Sequence, residues 1–370
     1  VAKGDIINND FHVFTDAYTG RTLTRLTAPE QVNHHPYFYY KMITNDHRYL
    51  IYASERNGHR QLYRMELGDG TALQLTDEPG IHDFSCSLTS DDRYLIYCRN
   101  HQLIRMDMGT LGEQVFYETE AGWTQTGSPG ISSDGRYLLL VEMNDCDLVA
   151  SKGDWSSFDL QWAKQPHCRI VYVDMEQQTS RIVHEELNCW LGHPQIRPHD
   201  PSTLLFCHEG PGDKIDARLW LIQADGTNLR CAKSQTHEEL ITHEYWLADG
   251  SKFAFVYRHQ DFKSHESIRF MDPVTMEEEE WMESSMLCHF ISNYDNSQIV
   301  GDGQLPEQPY IYLIDVQNRR EEKLCCHHTS WKSYGNTQDA HPHPAFSPDG
   351  SFIIFTSDME GIPCIYKVDL

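Results

Sequence analysis

FSPDGSFIIFTSD, residues 346–358, is a tight polar turn followed at once by an apolar run. Pro, Asp and Gly each favour a turn for a different reason: a preset φ, a side chain that bonds its own backbone, and tolerance of left-handed backbone. The pattern recurs along the chain: TNDHRYLIYASERNG from Thr44, TSDDRYLIYCRN from Thr89, SSDGRYLLLVEMND from Ser132, PHDPSTLLFCHEG from Pro198, LADGSKFAFVYRHQ from Leu247 and NYDNSQIVGDG from Asn293. Seven copies of one unit are therefore present, with turn aspartates at 46, 91, 134, 200, 249, 295 and 349.

Each copy continues with a second strand of alternating character, such as QLYRMEL (61–67), RIVYVDM (169–175), RLWLIQA (218–224), YIYLIDV (310–316) or CIYKVDL (364–370). Period-two alternation marks half-buried strands. Most intervals between turn aspartates lie in the forties, the length of a four-stranded propeller blade. The sequence thus predicts an all-β, seven-bladed β-propeller, read as a single domain over residues 1–370. The seventh copy ends at its third strand. TDAYTGRTLTRLT (15–27) reads as turn plus fourth strand, so the N-terminal segment is expected to close the last blade, which also removes exposed sheet edges. The two long intervals hold insertions, around 151–167 in the third copy and around 325–337 in the sixth. Long excursions from a repeat often serve binding.

Composition narrows the function. The 370 residues carry 55 Asp and Glu against 30 Lys and Arg, a formal net charge of −25. A nucleic-acid binder needs a basic footprint, and none is visible. An anionic ligand would have to be drawn in by a local cluster of Arg, His or metal. The eleven cysteines are scattered, odd in number and without a C-x-x-C pair, which reads as free thiols in a reducing compartment. No stretch of about eighteen apolar residues occurs, so no membrane span is expected. The expectation is a soluble cytoplasmic protein. A homodimer is left open.

Aligning the copies on the turn aspartate exposes a set of histidines. His243, His289 and His343 stand six residues before Asp249, Asp295 and Asp349, and Ser128 stands at that place before Asp134. His341 lies two residues before His343, on the same side of a regular strand. His193, His82 and His35 lie near the same level of their own copies. In a propeller that first strand lines the central channel, so side chains from the fifth, sixth and seventh blades could converge there. His289, His341, His343 and Gln338 offer three imidazoles and one amide oxygen. Imidazole suits Zn, Cu, Fe or Ni; the amide and the lack of Cys favour a harder, more open site, a mix that Mn fits, although spacing alone does not select the metal. Arg218 and Arg197 of the fourth copy, with His208 in FCHEGPGDK, add cationic groups.

Over its whole length the chain resembles the oligogalacturonate lyases, the propeller enzymes of polysaccharide lyase family 22. The residues that carry the resemblance are QDAHPHPAFSPDG (338–350) and THEYW (242–246), supported by NHHPYFY, GHPQIRP, CHEGP and CHF. The resemblance implies a manganese ion held by Gln338, His341, His343 and His289, His243 as the base that takes the substrate proton, and Arg218 as partner of a uronate carboxylate. His193, Arg197, His208 and Tyr245 are candidate substrate contacts. The implied reaction is metal-dependent β-elimination of short galacturonate oligomers. The rival reading is a non-catalytic TolB- or WD40-like propeller acting as a scaffold. A prolyl-oligopeptidase-type hydrolase would need a G-x-S-x-G elbow that the sequence lacks. A glycoside hydrolase would want paired carboxylates where the candidate positions carry His, Gln and Arg.

Overall fold

The computed structural model describes residues 2–56, 58–150, 155–261 and 266–370. It is a seven-bladed β-propeller: seven antiparallel sheets of four strands, two of which gain a fifth. The chain divides into two compact units. Residues 1–114 and 286–370 hold the first, second, sixth and seventh blades, and residues 115–285 hold the third, fourth and fifth; the last strand of the second blade, Glu113–Glu118, runs across the boundary.

The recurring turn forms because its aspartate caps it. Asp46 Oδ1 accepts from Thr44 Oγ1 at 2.6 Å and from the Arg48 amide at 3.1 Å. Asp91, Asp134 and Asp349 repeat this with Thr89, Ser132 and Ser347, and Asp200, Asp249 and Asp295 use the serine two residues downstream. The residue after the aspartate takes left-handed backbone in six of the seven turns, as at Gly250 (φ 68°) and Asn296 (φ 58°), which is why Gly, Asn, Asp or His stands there. The fourth copy differs: His199, before Asp200, carries the positive φ.

The apolar faces of neighbouring blades meet. Ile51, Leu62, Leu95, Tyr97 and Ile104 form one such layer between the first and second blades. Leu205, Leu221, Phe253 and Phe255 form another between the fourth and fifth.

The seventh blade is completed from the N-terminus as expected. Strand Thr22–Arg25 pairs with Cys364–Asp369 in the register Leu23↔Val368. The closing strand is shorter than the 15–27 segment. His12–Thr15 folds back on it as a fifth strand, and Ile6–Asn8 joins the outer edge of the first blade as Ile6↔Leu73. The segment before residue 26 thus finishes two blades. It also reaches the sixth, where Thr19 Oγ1 donates to the Leu324 carbonyl at 3.1 Å.

Of the third-copy insertion, residues 151–154 lie outside the described residues; the rest includes the helix Ser156–Ala163. The sixth-copy insertion starts later than 325. Cys325 and Cys326 are the end of that blade's fourth strand, Arg320–Cys326, and the excursion is residues 327–344, which contain neither strand nor helix.

Leu23 is 1 % exposed and packs with Val300, Ile353, Phe355 and Val368. Leu23→Ala is expected to cost about 2–5 kcal/mol, read as a lower denaturant midpoint.

Candidate metal centre and ion cluster

Side chains on a strand alternate between two faces, so adjacent residues cannot serve one site without a break in the ladder. The first strands of several blades supply that break. In Glu239–Trp246 the register shifts between Thr242 and Tyr245, which takes His243 and Glu244 out of step. In Leu191–Ile196 the shift falls at His193 and Pro194, and in Leu287–Ser292 at Cys288 and His289. His193, His243 and His343 all have left-handed backbone, with φ of 47°, 53° and 45°. A non-glycine residue there carries strain on the order of 1–3 kcal/mol, a cost that clusters at functional positions.

In the first unit the structure brings three of the predicted histidines together. His289, His341 and His343 are buried, and their ligand atoms all lie within 4.8 Å of one another. Ring centroids are 4.3 Å apart for His289 and His343, 5.5 Å for His341 and His343, and 5.6 Å for His289 and His341. Tyr37 stands edge-on to His343 at 4.9 Å. His35 lies nearby, its Nε2 3.2 Å from the Pro342 carbonyl.

Behind the cluster stands Asp302, fully buried on the second strand of the sixth blade, Gln298–Gly303. Its Oδ2 is 2.9 Å from His289 Nδ1 and its Oδ1 accepts from the His289 amide at 2.6 Å. Oδ2 also accepts from the His343 amide at 3.3 Å. One carboxylate thus holds two of the three histidines and leaves Nε2 as the ligand atom of His289. Burial works against a charge on His289, but Cys288 and Asp302 outweigh it and hold its pKa up at about 10, so a metal would take the place of the proton on Nε2. Burial, with the neighbouring His289, pulls His341 down to about 3, so that ring is neutral and ready to ligate.

These residues fit a divalent metal. Three clustered imidazoles with a carboxylate behind one of them form a usual ligand arrangement. Gln338 Oε1 is buried and has no hydrogen-bond partner among the described residues, as an amide oxygen reserved for a ligand would be. One nearby donor escapes a reading by spacing. Cys288 Sγ lies 3.7 Å from His289 Nε2, because the bulge brings two consecutive side chains together. The inference that the site lacks sulfur is corrected accordingly.

In the second unit Arg218 precedes the strand Leu219–Gln223 and is 5 % exposed. Its Nε donates to Glu244 at 3.0 Å and its Nη1 to Glu209 at 2.9 Å, which commits two of its three nitrogens. Burial opposes the guanidinium charge, but Cys207, Glu209 and Glu244 more than offset it and raise its pKa further. His193 Nε2 lies 3.3 Å from Glu209 in the same cluster. His243, half-buried, is the residue just before Glu244.

The remaining candidates separate. His208 stacks on Trp220 at 4.7 Å and faces Glu186, at 3.4 Å, which also takes His184 at 3.0 Å. Arg197 sits at the Asp200 turn and donates to the Gly250 carbonyl at 2.7 Å. Tyr245 is 1 % exposed, so its ring has no open face for a sugar.

Fold and histidine cluster define a class: β-propeller enzymes with a histidine-built metal centre. The family model described as oligogalacturonate lyase matches residues 1–370. The chain is 35 % identical to an oligogalacturonide lyase of Pectobacterium atrosepticum and 34 % identical to an oligogalacturonate lyase of Dickeya dadantii, in both cases over 99 % of this chain and 97 % of the relative. Among solved structures it resembles an oligogalacturonate lyase in complex with manganese (38 % identity, TM-score 0.95, 100 % of this chain and 98 % of the other). It also resembles the oligogalacturonate lyase of Vibrio parahaemolyticus (37 % identity, TM-score 0.93, with the same coverage). The chain belongs to the oligogalacturonate lyase family.

Asp302→Asn keeps the shape but loses the charge that orients His289. We expect metal affinity to fall about 10- to 100-fold, measured by calorimetric titration of metal-stripped protein.

A pH dependence follows from His327, which opens the loop carrying Gln338, His341 and His343. Its Nε2 donates to the Gly303 carbonyl at 2.9 Å and its Nδ1 accepts from the Thr329 amide at 3.1 Å, so both nitrogens are used by the neutral ring. Burial lowers its pKa to about 4. The unfolded chain takes the proton first, near pH ~6.5. The stability from neutral His327 is therefore complete above ~6.5 and is lost as pH falls toward 4, by up to about 3 kcal/mol. Melting temperatures in EDTA should fall over that window, less steeply in His327→Gln.

Proposed function

We propose that this chain cleaves short oligogalacturonates, including digalacturonate and its unsaturated form, by β-elimination at a metal centre built from His289, His341, His343 and Gln338. The observation that carries the reading is the buried three-histidine cluster with Asp302 behind it. The solved relative in complex with manganese supports Mn2+ as the ion.

The chemistry has one main obstacle. The proton on C5 lies next to a carboxylate that is already charged, and its removal adds a second charge. The bound metal would supply Lewis acidity that disperses this charge over the uronate carboxylate. His243 is the base. Imidazole titrates near working pH, so a neutral fraction exists without large tuning. The C5–H electrons become the C4=C5 double bond, the bond from C4 to the glycosidic oxygen breaks, and that oxygen leaves with a proton. Arg218 contributes through Nη2, the nitrogen that Glu209 and Glu244 do not hold. Its two flanking carboxylates more than offset its single positive charge, so it offers a directed hydrogen bond rather than a long-range positive field. His193, coupled to Arg218 through Glu209, is the second candidate for a substrate contact.

We place the chain in the cytoplasm. All eleven of its cysteines are free, and among the described residues no helix is long and apolar enough to cross a membrane.

The test is digalacturonate mixed with purified protein, with Mn2+ and then with EDTA, followed by ultraviolet absorbance and mass spectrometry. An unsaturated product with its partner monosaccharide, formed with Mn2+ and absent with EDTA, is the expected result. No cleavage with metal verified as bound would return the propeller to a binding role. His243→Ala should lower kcat by about 100-fold or more with an unchanged circular dichroism spectrum; full turnover in that variant would remove His243 as the base.

A further inference from the structure

The loop 327–344 delivers Gln338, His341 and His343, yet contains neither strand nor helix. A ligand must be held to within a fraction of an ångström to define a metal site. Something other than a sheet has to hold these.

The carboxylate between the ligands shows what does. Asp339 follows Gln338, precedes His341 by two residues and is fully buried. Its Oδ2 accepts from the amides of Tyr334 at 2.9 Å and Asn336 at 2.8 Å, which closes the loop on itself. Both its oxygens are then gripped from outside the loop. Arg60, on the strand Arg60–Glu66 of the first blade, places Nη1 2.5 Å from Oδ1 and Nη2 3.1 Å from Oδ2, a two-pronged pair. Nη2 also donates to the Tyr334 carbonyl at 3.0 Å.

Arg60 is itself fixed. Its Nη1 lies 3.0 Å from Asp83 Oδ2, which His34 Nε2 meets at 2.9 Å. The His34 ring is stacked on Phe84 at 3.8 Å. A line of groups, His34 to Asp83 to Arg60 to Asp339, all buried but the half-buried Arg60, therefore runs from the first strand of the first blade to the peptide between two metal ligands. Arg60 is far from that loop in sequence, and none of its carboxylate partners, Asp339, Asp83 and Glu55, is a ligand.

We propose that Arg60 is the positioning residue of the metal centre: its two-pronged grip on Asp339 sets the spacing of Gln338 and His341 and thereby the affinity for the metal. This rests on the metal reading above. A planar fork is required, because lysine offers a point charge and cannot span both carboxylate oxygens in one plane.

The experiment titrates Mn2+ alone into metal-stripped full-length protein and reads free Mn2+ by electron paramagnetic resonance, for wild type, Arg60→Lys and Arg60→Ala. Melting temperatures are taken in EDTA. Wild type should bind one Mn2+ that His341→Ala loses; if it binds none, the metal reading itself fails. Given that site, Arg60→Lys should bind about 10-fold more weakly and Arg60→Ala more weakly still. Excess Mn2+ should restore kcat in Arg60→Lys to near the wild-type value, a rescue that a merely structural defect would not show. Should Arg60→Ala fail to fold, Arg60→Lys carries the test alone. Mn2+ affinity within twofold of wild type in folded Arg60→Lys, or a lowered melting temperature with unchanged affinity, would overturn the proposal.

Discussion

A β-strand gives each face every second side chain, and the functional region of this protein depends on breaking that rule. The first strands of the fourth, fifth and sixth blades each carry a bulge, at His193–Pro194, His243–Glu244 and Cys288–His289. At the bulge of the fifth blade two adjacent residues do different work. His243 leaves the ladder, while Glu244 stays fully buried and accepts from Arg218. At the bulge of the sixth, Cys288 and His289 come side by side. The strain of left-handed histidines is sustained by the packed blades on either side, which have no room to relax it.

The second constraint is charge. With 55 acidic residues, the chain buries several carboxylates, and the ones around the candidate site lean on a cation. Asp302 is matched by His289, Glu209 and Glu244 by Arg218, and Asp83 and Asp339 by Arg60. Every one of these pairs touches either a metal-ligand residue or a peptide next to a candidate catalytic or ligand residue. Buried ion pairs are not confined to these residues, since Arg169–Glu142 and Arg258–Glu266 are buried as well, but these particular ones stand where orientation matters. A hydrophobic replacement would pack as well there but could not fix the direction of a ring or a loop.

Much of this was legible in the sequence, for a physical reason. The blade repeat shows because each turn needs its own aspartate and each strand its own alternation, and both are local properties. The closing strand shows because the seventh copy is incomplete. His289 and His343 show because the copies can be aligned on the turn; His341 is placed beside His343 by strand alternation, although both lie in the loop before the strand Ala345–Phe346. The supporting residues stayed hidden because nothing local marks them. Asp302 lies on a different strand from His289, and Arg60 and Asp339 come from distant parts of the chain. Cys288 was missed because alternation puts it on the wrong face and only a bulge returns it. Arg218 was visible as a cation, but not its two carboxylates, which change it from an open positive charge to one that negative charge outnumbers. Tyr245 lies in the motif THEYW, yet it is the part of that motif that packs the blade.

The N-terminal segment has a consequence for how the protein is made. Strand Thr22–Arg25 leaves the ribosome among the first, and its partner Cys364–Asp369 among the last. Until then the strand is paired on one edge only, with His12–Thr15, and the sixth blade lacks no more than the Thr19 contact that comes with it. The seventh blade cannot be completed until both Thr22–Arg25 and Cys364–Asp369 have been made. A second nascent chain nearby offers the same vacant edge, so crowded polysomes would favour exchange of the early strand between copies.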